Sequence, residues 1–298
     1  MMDWGSGTLA VGQHTLECAT WGPSPALAPT LVLLHEGLGS LGLWRDWPAQ
    51  LAERTGMGVL AFSREGYGRS TPVNLPRPLD YMTLEATEVL RPVLDAAGVR
   101  ACLLLGHSDG ATIAGIYAGS VSDMRVRGLI LMAPHFFSEP EGLAAIRAAG
   151  GAYAGGDLKE KLTRHHDHPD IAFYGWHDAW MDPGFVDWNV ADAIDHWRVP
   201  SLVIQGAADP YGTLAQVHEV EERAYAPVET LILEGCGHAP HKERPEEVTA
   251  EIAAFCARLQ AFETSDVEIP ELAQNARKCI KITQFRWWSA LWVRCVVR

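Results

Sequence analysis

Short apolar runs recur along the chain, and most of them end in a glycine-rich turn. TLVLLH (30–35) precedes EGLGS, GVLAFS (58–63) precedes REGYGRS, and ACLLLG (101–106) precedes HSDG. VRGLILMAP (126–134), PSLVIQG (200–206) and ETLILEG (229–235) continue the series. The runs are continuous rather than alternating, which is the pattern of strands buried on both faces. Stretches with helical spacing lie between them, such as 79–98 and 244–262. This alternation predicts right-handed crossovers around a mostly parallel sheet flanked by helices, an α/β fold. Residues 6–21 predict an antiparallel hairpin at one edge.

Residues 138–197 break the rhythm. They contain no clear strand, yet they hold Phe173, Tyr174, Trp176, Trp180, Phe185 and Trp188. An exposed excursion would not need so many large apolar side chains. The expected organisation is therefore a core of 1–137 and 198–263, with 138–197 folded as a helical cap over one end of the sheet. The last segment, 264–298, has a different character: three acidic residues stand against six basic ones, and FRWWSALWVRCVVR is rich in Trp and Arg. It reads as a basic extension beyond the core, packed on the body or lying along a surface as an amphipathic helix.

Composition narrows the function classes. The 298 residues are 48% hydrophobic and 20% charged, as in a folded globular protein. A formal net charge of −13 repels phosphate backbones, so nucleic acid is excluded as a partner. No apolar run reaches 18 residues, so no stable membrane insertion is expected. The first residues, MMDWGSGTLA, lack a basic segment followed by an apolar one, and the cytoplasm is the expected location. The six cysteines form no CxxC pair and argue for no disulfide framework. The sequence carries no mark of oligomeric state.

The chemistry concentrates at strand ends. Gly106-His107-Ser108-Asp109-Gly110 fits G-x-S-x-G, with the apolar run CLLL before it and the helix-forming ATIAGIYAG after it. A strand-to-helix turn of this kind holds its central serine in a strained conformation, hydroxyl exposed, at a helix N-terminus. A serine nucleophile needs a base, and the base needs a group that fixes its tautomer. Asp209 follows the strand run PSLVIQG, and His238 follows ETLILEG. His241 is the competing base, but the Gly-His spacing after the strand favours His238.

LLHEGLGS, SREGYGRS, GHSDG, QGAADPYGT and GCGHAPH together resemble the α/β-hydrolase fold superfamily over residues 6–262. The order Ser108, Asp209, His238 is that of its triads. The resemblance implies an eight-stranded core sheet, a helical cap after strand six, and Ser108 as nucleophile, His238 as base and Asp209 as orienting acid. It also implies an oxyanion hole formed by the backbone N–H of Asp109 and of Gly37 or Leu38. The implied activity is that of a serine esterase acting on a small-molecule carboxylic ester, with no cofactor and no metal. C–C bond hydrolysis of ring-cleavage products uses the same triad and is the enzymatic alternative. A hydrolase-fold binding protein without catalysis is the other. A serine at the elbow disfavours epoxide hydrolase and haloalkane dehalogenase chemistry, which in this fold use an aspartate there.

One departure concerns the loop after the third strand. Many relatives carry His-Gly there; this chain has His35-Glu36-Gly37. A carboxylate beside a developing oxyanion would be unhelpful, so Glu36 is expected to turn away toward Arg64 or Arg69, substrate binding being the alternative. The candidate pocket residues are Glu36, Trp44, His135, Phe136, Phe137, Trp176 and Trp180. Asp109 is read as a helix N-terminal acid, with contact to a cationic or hydroxylated substrate as the alternative. His107 is read as packing, and His165, His166 and His168 as solvated surface.

Overall fold

The computed structural model describes residues 4–264. Eight strands form one sheet in the order β1-β2-β4-β3-β5-β6-β7-β8. They are β1 Thr8–Val11, β2 His14–Trp21, β3 Thr30–Leu34, β4 Gly58–Phe62, β5 Cys102–His107, β6 Val126–Met132, β7 Ser201–Gly206 and β8 Val228–Leu233. β1 and β2 make the expected antiparallel hairpin, and β2 pairs antiparallel with β4. From β4 through β3 to β8 every pairing is parallel. β3 and β5 bury every residue, as their continuous apolar runs predict. β8 differs: it is the sheet edge, its residues are mostly half-buried or exposed, and Ile232 is 36% exposed. An edge strand has a neighbour on one side only, so its apolar run is less fully covered than those of inner strands.

Helices α1 Trp47–Thr55, α2 Tyr81–Leu84, α3 Leu90–Ala96 and α4 Asp109–Ser120 connect the first strands. Between β6 and β7 the chain forms α5 Pro140–Gly155, α6 Leu158–Thr163 and α7 Pro169–Met181, with 3-10 turns at Pro183–Phe185 and Ala191–His196. The segment read as a cap is thus helical throughout its ordered elements, and Phe173, Trp176, Trp180 and Phe185 are all buried. α8 Ala215–Arg223, α9 Pro240–Glu243 and α10 Pro245–Thr264 follow β7 and β8. A second compact unit begins at Ala254, within α10. Residues 265–298, nearly all of the basic extension, lie outside the described residues. Among the described residues no helix is long and apolar enough to cross a membrane.

The strand order positions the site. From β3 the chain moves to β4 on one side and returns to β5 on the other. The loops after β3 and β5 therefore diverge, leaving a crevice at the carboxyl ends of the strands. The loops after β3, β5, β7 and β8 carry Glu36-Gly37, Ser108, Asp209 and His238 in turn.

Candidate active site

Ser108 sits between β5 and α4 with φ 53° and ψ −121°, a backbone conformation that costs free energy for a non-glycine residue. Its two neighbouring glycines make the turn possible. A Cβ on Gly106 would collide with the backbone of Gly110 and Ala111, and one on Gly110 with the carbonyl of Leu34. Ser108 ends up 7% exposed in a cavity of about 110 Å³, together with Glu36, Gly37, Leu38, Asp109 and His238. No hydrogen bond joins its hydroxyl to His238 among the described residues, and in free enzymes this contact is commonly long until substrate arrives.

His238 Nδ1 donates to Asp209 Oδ2 at 2.8 Å. The Asp209 side chain is fully buried and accepts two further bonds, from Gln205 Nε2 at 2.9 Å and from the Tyr211 backbone N–H at 2.8 Å. Burial pushes the Asp209 carboxyl up, but the His238 hydrogen bond outweighs it and leaves the group below its usual range. Burial pushes the His238 imidazole below its ordinary 6.5, with Asp209 partly offsetting this. With Nδ1–H committed to Asp209, Nε2 is left as the free, unprotonated nitrogen of a neutral ring. His107, expected to pack, also holds this loop: its Nε2 donates to the His238 carbonyl at 2.6 Å. His241 is buried between Trp44, Trp47 and His107 and does not line the cavity.

The loop after β3 is tied down at several points. His35 Nδ1 donates to the Glu36 carbonyl at 2.7 Å, and its Nε2 accepts from the Arg64 N–H at 3.0 Å. Arg64 Nη2 adds a bond to the same carbonyl at 3.2 Å. From the turn between α6 and α7, His166 Nε2 donates to the Leu38 carbonyl at 3.1 Å while its Nδ1 accepts from the Gly68 N–H at 2.9 Å. His166 is thus buried and structural rather than solvated as its sequence neighbourhood suggested. Gly37, Leu38 and Asp109 all line the cavity, and their backbone N–H groups donate to no protein acceptor among the described residues.

Glu36 corrects the sequence expectation. Its side chain does not turn to Arg64 or Arg69. It lines the cavity, with Lys242 Nζ at 3.4 Å and His107 Nδ1 at 3.5 Å. Burial pushes its carboxyl up, but Lys242 and His107 outweigh this and hold it well below the usual carboxylate range. Arg64 is unavailable because it is only 1% exposed and faces Asp109, while the carboxylate nearest Arg69 is Glu17 at 4.0 Å.

Asp109 is occupied from within the protein. Trp180 Nε1 donates to the Tyr81 hydroxyl at 3.0 Å, and that hydroxyl donates to Asp109 Oδ2 at 2.5 Å. Arg64 Nη2 lies 3.7 Å from the same oxygen, and both side chains are 1% exposed. Removing one member of a buried ion pair costs about 3–5 kcal/mol because the other charge is left uncompensated. Glu85 also faces Arg64, so Asp109→Ala falls at the lower end of that range. Thermal unfolding should show Tm lowered by roughly 6–12 °C, with Asp109→Asn intermediate because an amide oxygen can still accept from Tyr81. A variant as stable as the parent would contradict this assignment.

His135, Trp176 and Trp180 line the cavity as expected. His135 Nε2 faces the Tyr211 carbonyl at 3.1 Å, and burial, then the neighbouring His238, push its pKa down to about 4. Trp44, Phe136 and Phe137 do not line it. Trp44 stacks on Trp47, Phe136 packs against Trp197, and Phe137 is engaged through its backbone in a bridge to Asn189. Tyr211 and Ile146 line the cavity and were not singled out from sequence. Tyr211 carried a signal, two residues beyond Asp209; Ile146, in the middle of α5, carried none.

A profile of the alpha/beta hydrolase family matches residues 31–252. The chain belongs to the alpha/beta hydrolase family. It is 26% identical over 304 residues to epoxide hydrolase A of Mycobacterium tuberculosis, covering 78% of this chain and 92% of that one. It is also 26% identical over 271 residues to the human 1-acylglycerol-3-phosphate O-acyltransferase ABHD5, covering 76% and 77% of the two chains. Among solved structures it resembles a carboxylesterase of Nitrososphaera gargenis at a TM-score of 0.67 and 18% identity, covering 85% of this chain and 98% of that one. As a member of this family it has the mostly parallel eight-stranded sheet of a hydrolase fold.

Proposed function

We propose that this protein is a serine hydrolase that cleaves a small carboxylic ester through an acyl-enzyme. One observation carries the reading: the hydrogen-bonded pair His238–Asp209 opens on the same cavity as Ser108, which is held at positive φ on the elbow. His238 Nε2 takes the Ser108 proton as Oγ attacks the ester carbonyl. The unpaired N–H groups of Asp109 and of Gly37 or Leu38 receive the carbonyl oxygen as it becomes an oxyanion. Collapse of the intermediate breaks the ester C–O bond, and the departing alcohol carries away the proton from His238. Water then attacks the acyl-enzyme, giving its proton to His238, and the carboxylic acid leaves as Ser108 recovers its hydrogen.

The helices between β6 and β7 act as the cap in this reading, supplying Ile146, Trp176 and Trp180 as apolar walls. At about 110 Å³ the cavity is smaller than the roughly 150 Å³ that accommodates benzene, so it suits a short acyl group. Relatives named as epoxide hydrolases do not redirect this reading, because the elbow residue here is a serine. Steady-state assays with phenyl acetate and longer-chain homologues test it. Turnover should be greatest for short acyl chains. Because His238 must be neutral and its pKa lies below 6.5, kcat/KM should be flat through neutrality and fall only below pH 6.5. A dienoate C–C substrate cleaved in preference to every ester, or an acid limb above pH 7, would count against the proposal.

A further inference from the structure

We propose that the indole N–H of Trp176 is a third donor to the oxyanion, supplied from the helices that cover the site. The inference rests on the ester-hydrolase reading of Ser108. Trp176 belongs to α7, is 7% exposed, and lines the cavity with Ser108, Gly37 and His238. Its Nε1–Cδ1 edge lies so close over Gly37 that a Cβ there would overlap the ring. The missing side chain at Gly37 is therefore what lets the indole reach the oxyanion loop.

The indole nitrogen is also chemically free. Other buried indoles spend their N–H inside the protein: Trp47 on Thr249 at 2.8 Å, Trp180 on Tyr81 at 3.0 Å and Trp197 on the Gly115 carbonyl at 2.8 Å. Trp44 Nε1 is sealed without a partner. Trp176 Nε1 has no hydrogen bond among the described residues, yet it is not among the sealed polar atoms, so it opens on the cavity. An unpaired donor at the wall of a small, largely closed-off cavity is costly unless a ligand atom satisfies it.

Its position selects the ligand atom. A Cβ lies about 2.5 Å from the nitrogen of its own residue, so an indole N–H touching that point stands within roughly 5 Å of the Gly37 nitrogen. One oxygen can then accept from both at about 2.9 Å. The charge that develops on the ester carbonyl oxygen grows between Gly37 and Asp109, next to this donor. A donor that meets the oxygen most strongly once it is charged acts on kcat rather than on ground-state binding.

Trp176→Phe removes the N–H and keeps an aromatic wall. The expected result is a 10- to 100-fold fall in kcat for a short-chain phenyl ester, with KM changed less than 3-fold. A trifluoromethyl ketone, to which Ser108 adds to form a charged tetrahedral mimic, should bind more weakly by a similar factor, while a planar, uncharged amide analogue of the ester should bind nearly as before. Replacing Trp176 by benzothienylalanine, which exchanges the N–H for sulfur at nearly constant shape, should reproduce the fall and separate it from any cavity effect. Unchanged kcat in both variants, or equal weakening of the ketone and the uncharged amide analogue, would overturn the inference while leaving the esterase reading intact. Wild-type protein that hydrolyses no ester and forms no ketone adduct would overturn both.

Discussion

Ser108→Ala is expected to lower kcat for ester hydrolysis by about a millionfold, the loss that follows when the nucleophile of a triad is removed. What survives is the contribution of substrate binding and the oxyanion donors, about 10³–10⁴ over the uncatalysed rate. The fold should be undisturbed. The Ser108 hydroxyl makes no hydrogen bond among the described residues, and alanine keeps the Cβ already accommodated at φ 53°. Circular dichroism and thermal unfolding should therefore match the parent while turnover disappears. A variant that retains more than about 1% of the activity would place the nucleophile elsewhere.

The second large effect is expected at Asp209. Asp209→Asn should lower kcat about 10⁴-fold without changing the shape of the side chain. The cause is tautomeric. The Tyr211 N–H at Oδ1 holds that position as an acceptor. An asparagine that keeps this bond turns its amide NH₂ toward His238 Nδ1 and Gln205. His238 must then present a bare Nδ1 to the amide, which moves its proton to Nε2 and removes the lone pair proposed to accept the Ser108 proton. Loss of the carboxylate also removes the influence that holds the His238 pKa up, so the acid limb of the residual activity should move to lower pH. The pH dependence of kcat/KM for both proteins checks this, and a limb displaced upward would contradict it.

Much of this site was legible in the sequence because parallel sheets punish ambiguity. A strand buried on both faces has to be continuously apolar, so the ends of β3, β5 and β7 stand out where Gly, Ser and Asp interrupt the run. The elbow is more legible still. Gly106 and Gly110 are required by backbone contacts that no side chain would survive, so their spacing around Ser108 records a geometry. Asp209 and His238 were legible by type and by position after a strand.

Side-chain partnerships beyond that of His238 with Asp209 were not legible. Glu36 was assigned to an arginine close in sequence, but Arg64 is buried under the elbow against Asp109, and the cation that reaches Glu36 is Lys242, 206 positions away. Phe136 stands in the loop after β6, yet it points into the core beside Trp197, while His135 before it faces the cavity. A shift of one position along an extended segment exchanges its two sides, and composition alone does not say which side faces the site. His166 was taken for surface because its neighbours His165 and His168 are polar. Its burial depends on the Gly68 and Leu38 loops, roughly 100 residues or more away in the chain, as the separations of 98 and 128 show.

The central claim, that Ser108 is a nucleophile activated by His238 and Asp209, is tested most directly by intact-protein mass spectrometry after exposure to a fluorophosphonate. The account predicts one covalent adduct per chain, mapped by peptide sequencing to Ser108 and absent from Ser108→Ala. No adduct on the wild-type protein, or the same adduct on Ser108→Ala, would contradict it.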